Sequence, residues 1–156
     1  EQTQTFIQTA VLGDNEYTDG KVIFTCPQDF TCEKKELTDP KLTIFELESE
    51  NIGSVTLCSD YETDYSLVNF NGYWTNWQDE GASKYQSQIV KNEKRSVNSH
   101  SYYYKVTKYS LKEGELYWRF IFLTDAETGK VCILSCYDGG NDSHINELLS
   151  SIRFHQ

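Results

Sequence analysis

From Ser101 to Leu111, Tyr102, Tyr104 and Val106 alternate with Tyr103, Lys105 and Thr107. From Glu115 to Thr124, Leu116, Trp118, Phe120 and Phe122 alternate with Tyr117, Arg119, Ile121 and Leu123. A period of two predicts strands, and Lys130 to Tyr137 supplies a third. Between them, Lys112-Glu113-Gly114 and Ala126-Glu127-Thr128-Gly129 carry the glycine that short hairpin loops require. The pattern then changes period. Ile145, Leu148, Leu149 and Ile152 fall at i, i+3, i+4 and i+7, which predicts an amphipathic helix capped by Asn141 or Asp142. A three-strand meander closed by a helix is therefore expected, with one helix face lying on the sheet.

Upstream, Lys21 to Thr25 reads as a strand that Pro27 stops by removing a ladder donor. Phe30 to Lys34 reads as a return strand. Lys41 to Glu48 and Ile52 to Ser59 are β-rich runs joined by a hairpin-length connection at Ser49-Glu50-Asn51. Trp74, Trp77 and Gly81 recur at helical spacing, so a helix is expected from about Gly72 to about Lys84. Gln86 to Lys94 reads as a further strand. Between Glu1 and Gly20, Phe6, Ile7, Ala10 and Val11 suit a short helix ending near Gly13, while Thr3, Thr5 and Thr9 allow a strand; the alternatives stay open.

Strands, helix, strands, helix, with hairpins predominating, argue an α+β fold built on a mainly antiparallel sheet. The 156 residues suit one domain, placed at 20–156 behind a lead segment at 1–19, and no repeat or linker divides them. A hydrophobic fraction of 38% against a charged fraction of 24% suits a globular chain and argues against bulk disorder. The net charge of −10 disfavours nucleic acid as a partner, because phosphates are neutralised by Lys and Arg. Lys91, Lys94 and Arg95 form the only dense basic patch, which reads as a solvated strand end. The longest apolar run is Phe120 to Leu123. It is far too short to span a bilayer, which takes about 20 residues.

The strand and proline of VIFTCPQDF, the central helix, the YYYKVTKYSLKEGELYWRFIFL hairpin, the KVCILSCYD strand and the final HINELLSSIRF together resemble the PsbP-like and Ran-binding Mog-type family. The resemblance covers roughly Gly20 to Phe154. It implies an α/β/α sandwich and accessory, assembly or envelope lipoprotein roles. It carries no site residue over to this chain.

Chemistry is sparse. Asp60, Glu62 and Asp64 superficially suggest a Ca²⁺ loop, but Tyr65 stands where the EF-hand needs glycine and Asn71 where it needs glutamate, so a solvated acidic loop is expected. The Asp138 to Asn141 turn is explained by helix capping. Five cysteines, Cys26, Cys32, Cys58, Cys132 and Cys136, lean towards an oxidising compartment and an exported protein of the cell envelope or extracellular space. The absence of Met points the same way, to a mature chain whose lipid anchor, if it had one, would lie upstream. Cys26 and Cys32 flank a tight return and are the candidate disulfide. Cys132 and Cys136 share a strand face about 13 Å apart, too far to bridge. His100, His144 and His155 lack local signatures and read as surface residues. With no nucleophile, metal or nucleotide motif, no catalytic residue, metal or cofactor is assigned.

Aromatics are the better lead. Tyr73, Trp74 and Trp77 crowd one helix, and alternation puts Tyr103 on the opposite face from Tyr102 and Tyr104. These four residues, Tyr73, Trp74, Trp77 and Tyr103, are the candidate ligand or partner surface. The expectation is a non-catalytic exported accessory or protein-interaction domain. The alternatives are a small-ligand or glycan module with an aromatic-lined cleft, and an envelope hydrolase. An aromatic-lined pocket above about 300 Å³ would favour the ligand module. A Ser or Cys bonded to a His would favour the hydrolase.

Overall fold

A computed structural model describes residues 12–155; the apolar set at Phe6 to Val11 lies outside them. Strands β1 (Glu16–Thr18), β2 (Val22–Thr25), β3 (Thr31–Thr38), β4 (Lys41–Ser49) and β5 (Gly53–Cys58) precede helix α1 (Leu67–Asn76). A 3-10 turn at Glu80–Lys84 leads into β6 (Gln86–Val97), β7 (His100–Leu111), β8 (Gly114–Asp125) and β9 (Val131–Asp138). Helix α2 (Ser143–Ser151) and β10 (Arg153–Phe154) close the chain. The fold is α+β and every strand pairing among the described residues is antiparallel.

The large sheet has seven strands in the order β3-β4-β5-β9-β8-β7-β6. Two meanders thus meet at one seam, β5 against β9. At that seam Gly53 is required: a Cβ there would sit 1.9 Å from the Tyr137 carbonyl oxygen, so any side chain forces the strands apart. A smaller sheet, β1-β2-β10, begins upstream of Gly20 and ties the N-terminal segment to the C-terminus through Arg153↔Ile23 and Phe154↔Val22.

Connectivity explains the layers. The chain leaving β5 must cross β9, β8 and β7 to reach β6, and α1 lies in that crossing, on one face. Helix α2 follows β9 and returns on the other face. Alternation along the strands feeds both: Tyr102, Tyr104, Ile121, Leu123, Leu134 and Cys136 join the core under α2, while Trp118, Phe120, Phe122 and Ile133 join the core under α1. Each such fully buried side chain contributes on the order of 1.5–3 kcal/mol by leaving water.

Two expectations need correction. The central helix runs Leu67–Asn76, not Gly72 to Lys84: Ser66 caps it by accepting from Asn69 N at 3.1 Å, and Gly72 is an interior residue with open space where a Cβ would stand. Trp77 is its C-cap, and the downstream stretch only forms the 3-10 turn. The histidines are not at the surface either. His100, His144 and His155 are all buried, because each stands where an element end tucks under α2 or the small sheet. His100 Nε2 lies 3.2 Å from the Ile152 carbonyl and its ring packs edge-on to Phe154; His144 stacks on Phe30 with ring centroids 5.0 Å apart. At the N-terminus of α2, Asp142 holds the cap position without a side-chain bond, while Asn141 accepts from Ser143 N and Oγ.

Candidate functional site

Helix α1 and its C-cap carry Phe70, Tyr73, Trp74 and Trp77 at i, i+3, i+4 and i+7, a single face. That face lies on β7 and β8. Phe70, fully buried, stacks on Tyr103 (5.4 Å) and Phe120 (5.7 Å). Tyr73 meets Phe122 at 5.5 Å, Trp74 stacks on Trp118 at 5.9 Å and Trp77 meets Phe120 at 5.6 Å. Tyr61 closes over Tyr73 and Trp77, and Tyr65 stacks on Tyr103 at 4.6 Å. All four candidate residues, Tyr73, Trp74, Trp77 and Tyr103, are therefore brought together, half-buried, in one ring layer.

Polar groups are threaded through this layer. Lys105 is only 6% exposed; its ammonium sits 3.9 Å above the Trp74 ring and donates to Asn71 Oδ1 at 2.9 Å. Burial pushes its pKa below the ordinary lysine value. Trp118 Nε1 donates to Ser135 Oγ at 2.8 Å, whereas Trp74 Nε1, the Tyr65 hydroxyl and Thr107 Oγ1 have no partner among the described residues. Sequence spacing signals the tryptophans but not Lys105, whose alternation with tyrosines looks like an exposed strand face.

The opposite face carries a different constellation. Arg119, 4% exposed, donates from Nε and Nη2 to the two oxygens of Asp138 at 2.7 and 3.0 Å, and from Nη1 to the Tyr104 hydroxyl at 2.9 Å. Burial works against its charge, but those bonds outweigh it and hold the guanidinium protonated. Three of its five N–H donors are thus committed within the fold, and Nη1 also lies 3.8 Å from Asp142 Oδ2.

The cavities are polar and open. The one beside the acidic loop, 590 Å³, is lined by Lys21, Asp60, Tyr61, Glu62, Asp64 and Lys130 among others, and Tyr61 is its only ring. Asp60 is already committed there: it pairs with Lys21 and accepts from Thr43 N at 2.6 Å. Two others, of 530 and 660 Å³, have no aromatic lining. Among the described residues no group of three His, Cys, Asp or Glu side chains is arranged to hold a metal ion.

The nucleophile pairing is likewise missing among the described residues. Both ring nitrogens of His144 lack a partner there, and His100 faces a backbone carbonyl and, at 3.9 Å, Asp125. The five cysteines stand as free thiols. Cys26 donates to the Phe30 carbonyl at 3.4 Å, and Cys32 lies near enough that a Cys26 thiolate, second to burial, helps push its thiol up to about 12. Cys132 and Cys136 are inert in the core, their thiols raised by burial.

The outer edges of the large sheet are β3 and β6. β3 is the shorter and carries Glu33, Lys34, Lys35 and Glu36 in succession, with Lys35 tied to Glu46 at 2.8 Å. β6 is twelve residues long and exposed at most positions, with a bulge between Ile89 and Lys91. Ile89 and Val90 are exposed along its first half, and Tyr85 just ahead of it. No protein-family description and no curated protein matches this chain.

Proposed function

We propose that the chain is a non-catalytic, exported accessory domain that works by binding another protein. The observation that carries this reading is the β6 edge: a row of ladder groups along twelve residues, with Tyr85, Ile89 and Val90 exposed beside it and nothing in the described residues laid over it. The candidate aromatics support it from the other side, since they pack on Tyr61, Tyr65, Phe70 and the rings of β8, and of the rings in their layer Tyr61 alone lines a described cavity. Among the described residues no cleft of several rings speaks for the ligand module and no Ser or Cys bonded to a His speaks for the hydrolase. Helices on opposite faces of one antiparallel sheet also support membership of the PsbP-like α/β/α sandwich family. Export rests on composition and on the proposal that Cys26 and Cys32, free thiols in the structure, bridge in an oxidising compartment.

Two measurements test this. Peptides selected from a displayed random library are mapped by amide chemical shifts; they are expected to move the amides of Gln86 to Val97. A saturable quench of tryptophan fluorescence by oligosaccharides, abolished by Trp77→Ala, would overturn the reading in favour of the ligand module. For the compartment, thiols are counted under denaturing conditions on protein from its native source. Three are expected, with Cys26 and Cys32 bridged; five would overturn export.

A further inference from the structure

The two edges of the sheet differ in charge as well as length. On β6, three cations, Lys91, Lys94 and Arg95, face one carboxylate, Glu93, in a chain whose net charge is −10. Glu93 is already spent: its Oε2 accepts from Arg95 Nε at 2.6 Å. The Lys94 ammonium stands 5.8 Å from the centroid of the Tyr65 ring and 5.8 Å from that of Tyr103. Attraction to those rings holds the charge on the α1 side of the edge. Register places Lys91 opposite Val106 and Lys94 opposite Tyr103, on opposite faces of the sheet. A strand laid against β6 would therefore meet a cation on each of its own faces.

The first half of β6 offers something else. Gln86 to Val90 carries no charge, and a recess of 390 Å³ lined by Gln86, Ser87, Gln88, Lys108 and Ser110 runs beside it. Natural edges are blunted by lysine, proline or bulges. Here the lysines guard only the second half, and the bulge at Val90 marks where the two halves join.

We infer that β6 receives, by strand addition, an extended segment of another protein that is apolar at one end and acidic at the other. Its carboxylates lie against Lys91 and Lys94 and its apolar residues against Ile89 and Val90. This rests on the interaction-domain reading and narrows it to a partner chemistry. Main-chain bonds along the edge supply affinity, and the charges fix direction and exclude basic segments. A second copy of this chain is disfavoured as the occupant, because its β6 offers no acidic half and each molecule carries −10.

The test uses the full chain and three synthetic ten-residue peptides. One alternates Val and Thr at one end and Glu and Thr at the other; the second has Lys for every Glu; the third has Pro at two central positions. Binding is followed by amide chemical shifts and by titration at low and high salt. The acidic peptide is expected to shift β6 amides, to weaken at least tenfold in the Lys91→Glu/Lys94→Glu variant, and to weaken with salt. The proline peptide is expected not to bind. Equal binding of the lysine peptide at β6 would overturn the acidic partner while leaving an interaction edge. No β6 shift with either charged peptide would overturn strand addition itself, whereas failure of the library selection to reach any β6 amide counts against the broader reading. The peptide arms do not depend on any variant folding.

Discussion

One face of the seven-stranded sheet meets α2 and the small sheet through aliphatic, thiol and scattered ring side chains, and its buried cation, Arg119, is forked onto Asp138. The other face meets α1 almost wholly through rings, and its buried cation, Lys105, has Trp74, Phe70 and the Asn71 amide around it and no carboxylate among the described ion pairs. The same sheet thus buries charge in two ways. On the α2 face two opposite charges depend on each other; on the α1 face a single one is tolerated by ring quadrupoles.

The sharpest separation comes from removing each cation. Asp138 is 2% exposed, and Arg119→Ala removes its only cation among the described residues and leaves it the Gly140 N–H at 2.8 Å. That loss is expected to cost about 3–5 kcal/mol in urea denaturation. A loss under about 1 kcal/mol would mean that water reaches Asp138 and that the fork is a surface pair. The α1 face is tested next by Phe70→Ala, expected to cost about 3–5 kcal/mol because a fully enclosed ring leaves a cavity. If stability barely changes, the ring layer is loose, and a ligand cleft between α1 and the sheet returns as a reading.

Much of this division can be read from sequence, and the parts that cannot share a cause. Alternation in β7 and β8 separates Tyr103 from Tyr102 and Tyr104 correctly, and the i, i+3, i+4, i+7 set places α2. Gly72 misleads because glycine is a helix breaker on average, and the true start is marked only by Ser66, ahead of Leu67 and Val68 whose exposed side chains carry no periodic signal. The histidines and Lys105 mislead because polarity alone says exposed, whereas their burial is decided by elements distant in sequence: Ile152 for His100, Phe30 for His144 and α1 for Lys105. Pattern fixes which face a residue takes. It does not fix what arrives to cover that face.

Lys105→Met asks the cation question from the other side. Removing an ammonium that no carboxylate holds leaves no buried opposite charge behind, so the variant is expected to be neutral or more stable by about 1–4 kcal/mol. Trp74 emission should change, since the charge 3.9 Å from its ring is gone. A destabilisation matching that of Arg119→Ala would erase the contrast between the faces. A smaller effect belongs to the helix itself. Ser66→Ala removes the bond to Asn69 N. It is expected to cost about 1 kcal/mol, measured by thermal denaturation, with α1 rather than α2 losing amide-exchange protection.

At neutral pH the last effect is absent, and it grows only on acidification. His144 is 3% exposed and stacked on Phe30. Burial lowers its pKa and Arg119 adds to that, while Asp138, Asp142 and Glu147 pull it up without cancelling the shift. The neutral ring is thus the form that the fold prefers. A depressed folded pKa contributes stability that is fully present above the unfolded value, about 6.5, and is lost as pH falls through the folded one. His144→Phe keeps a ring on Phe30 and removes the titration. Between about pH 7.5 and 5, the wild-type chain is expected to lose more of its urea midpoint than the variant; carboxylates titrate in both and drop out of the difference. Equal losses would mean that Asp138 shares its charge with His144 as well as Arg119, and the charge network of the α2 face would then include the imidazole.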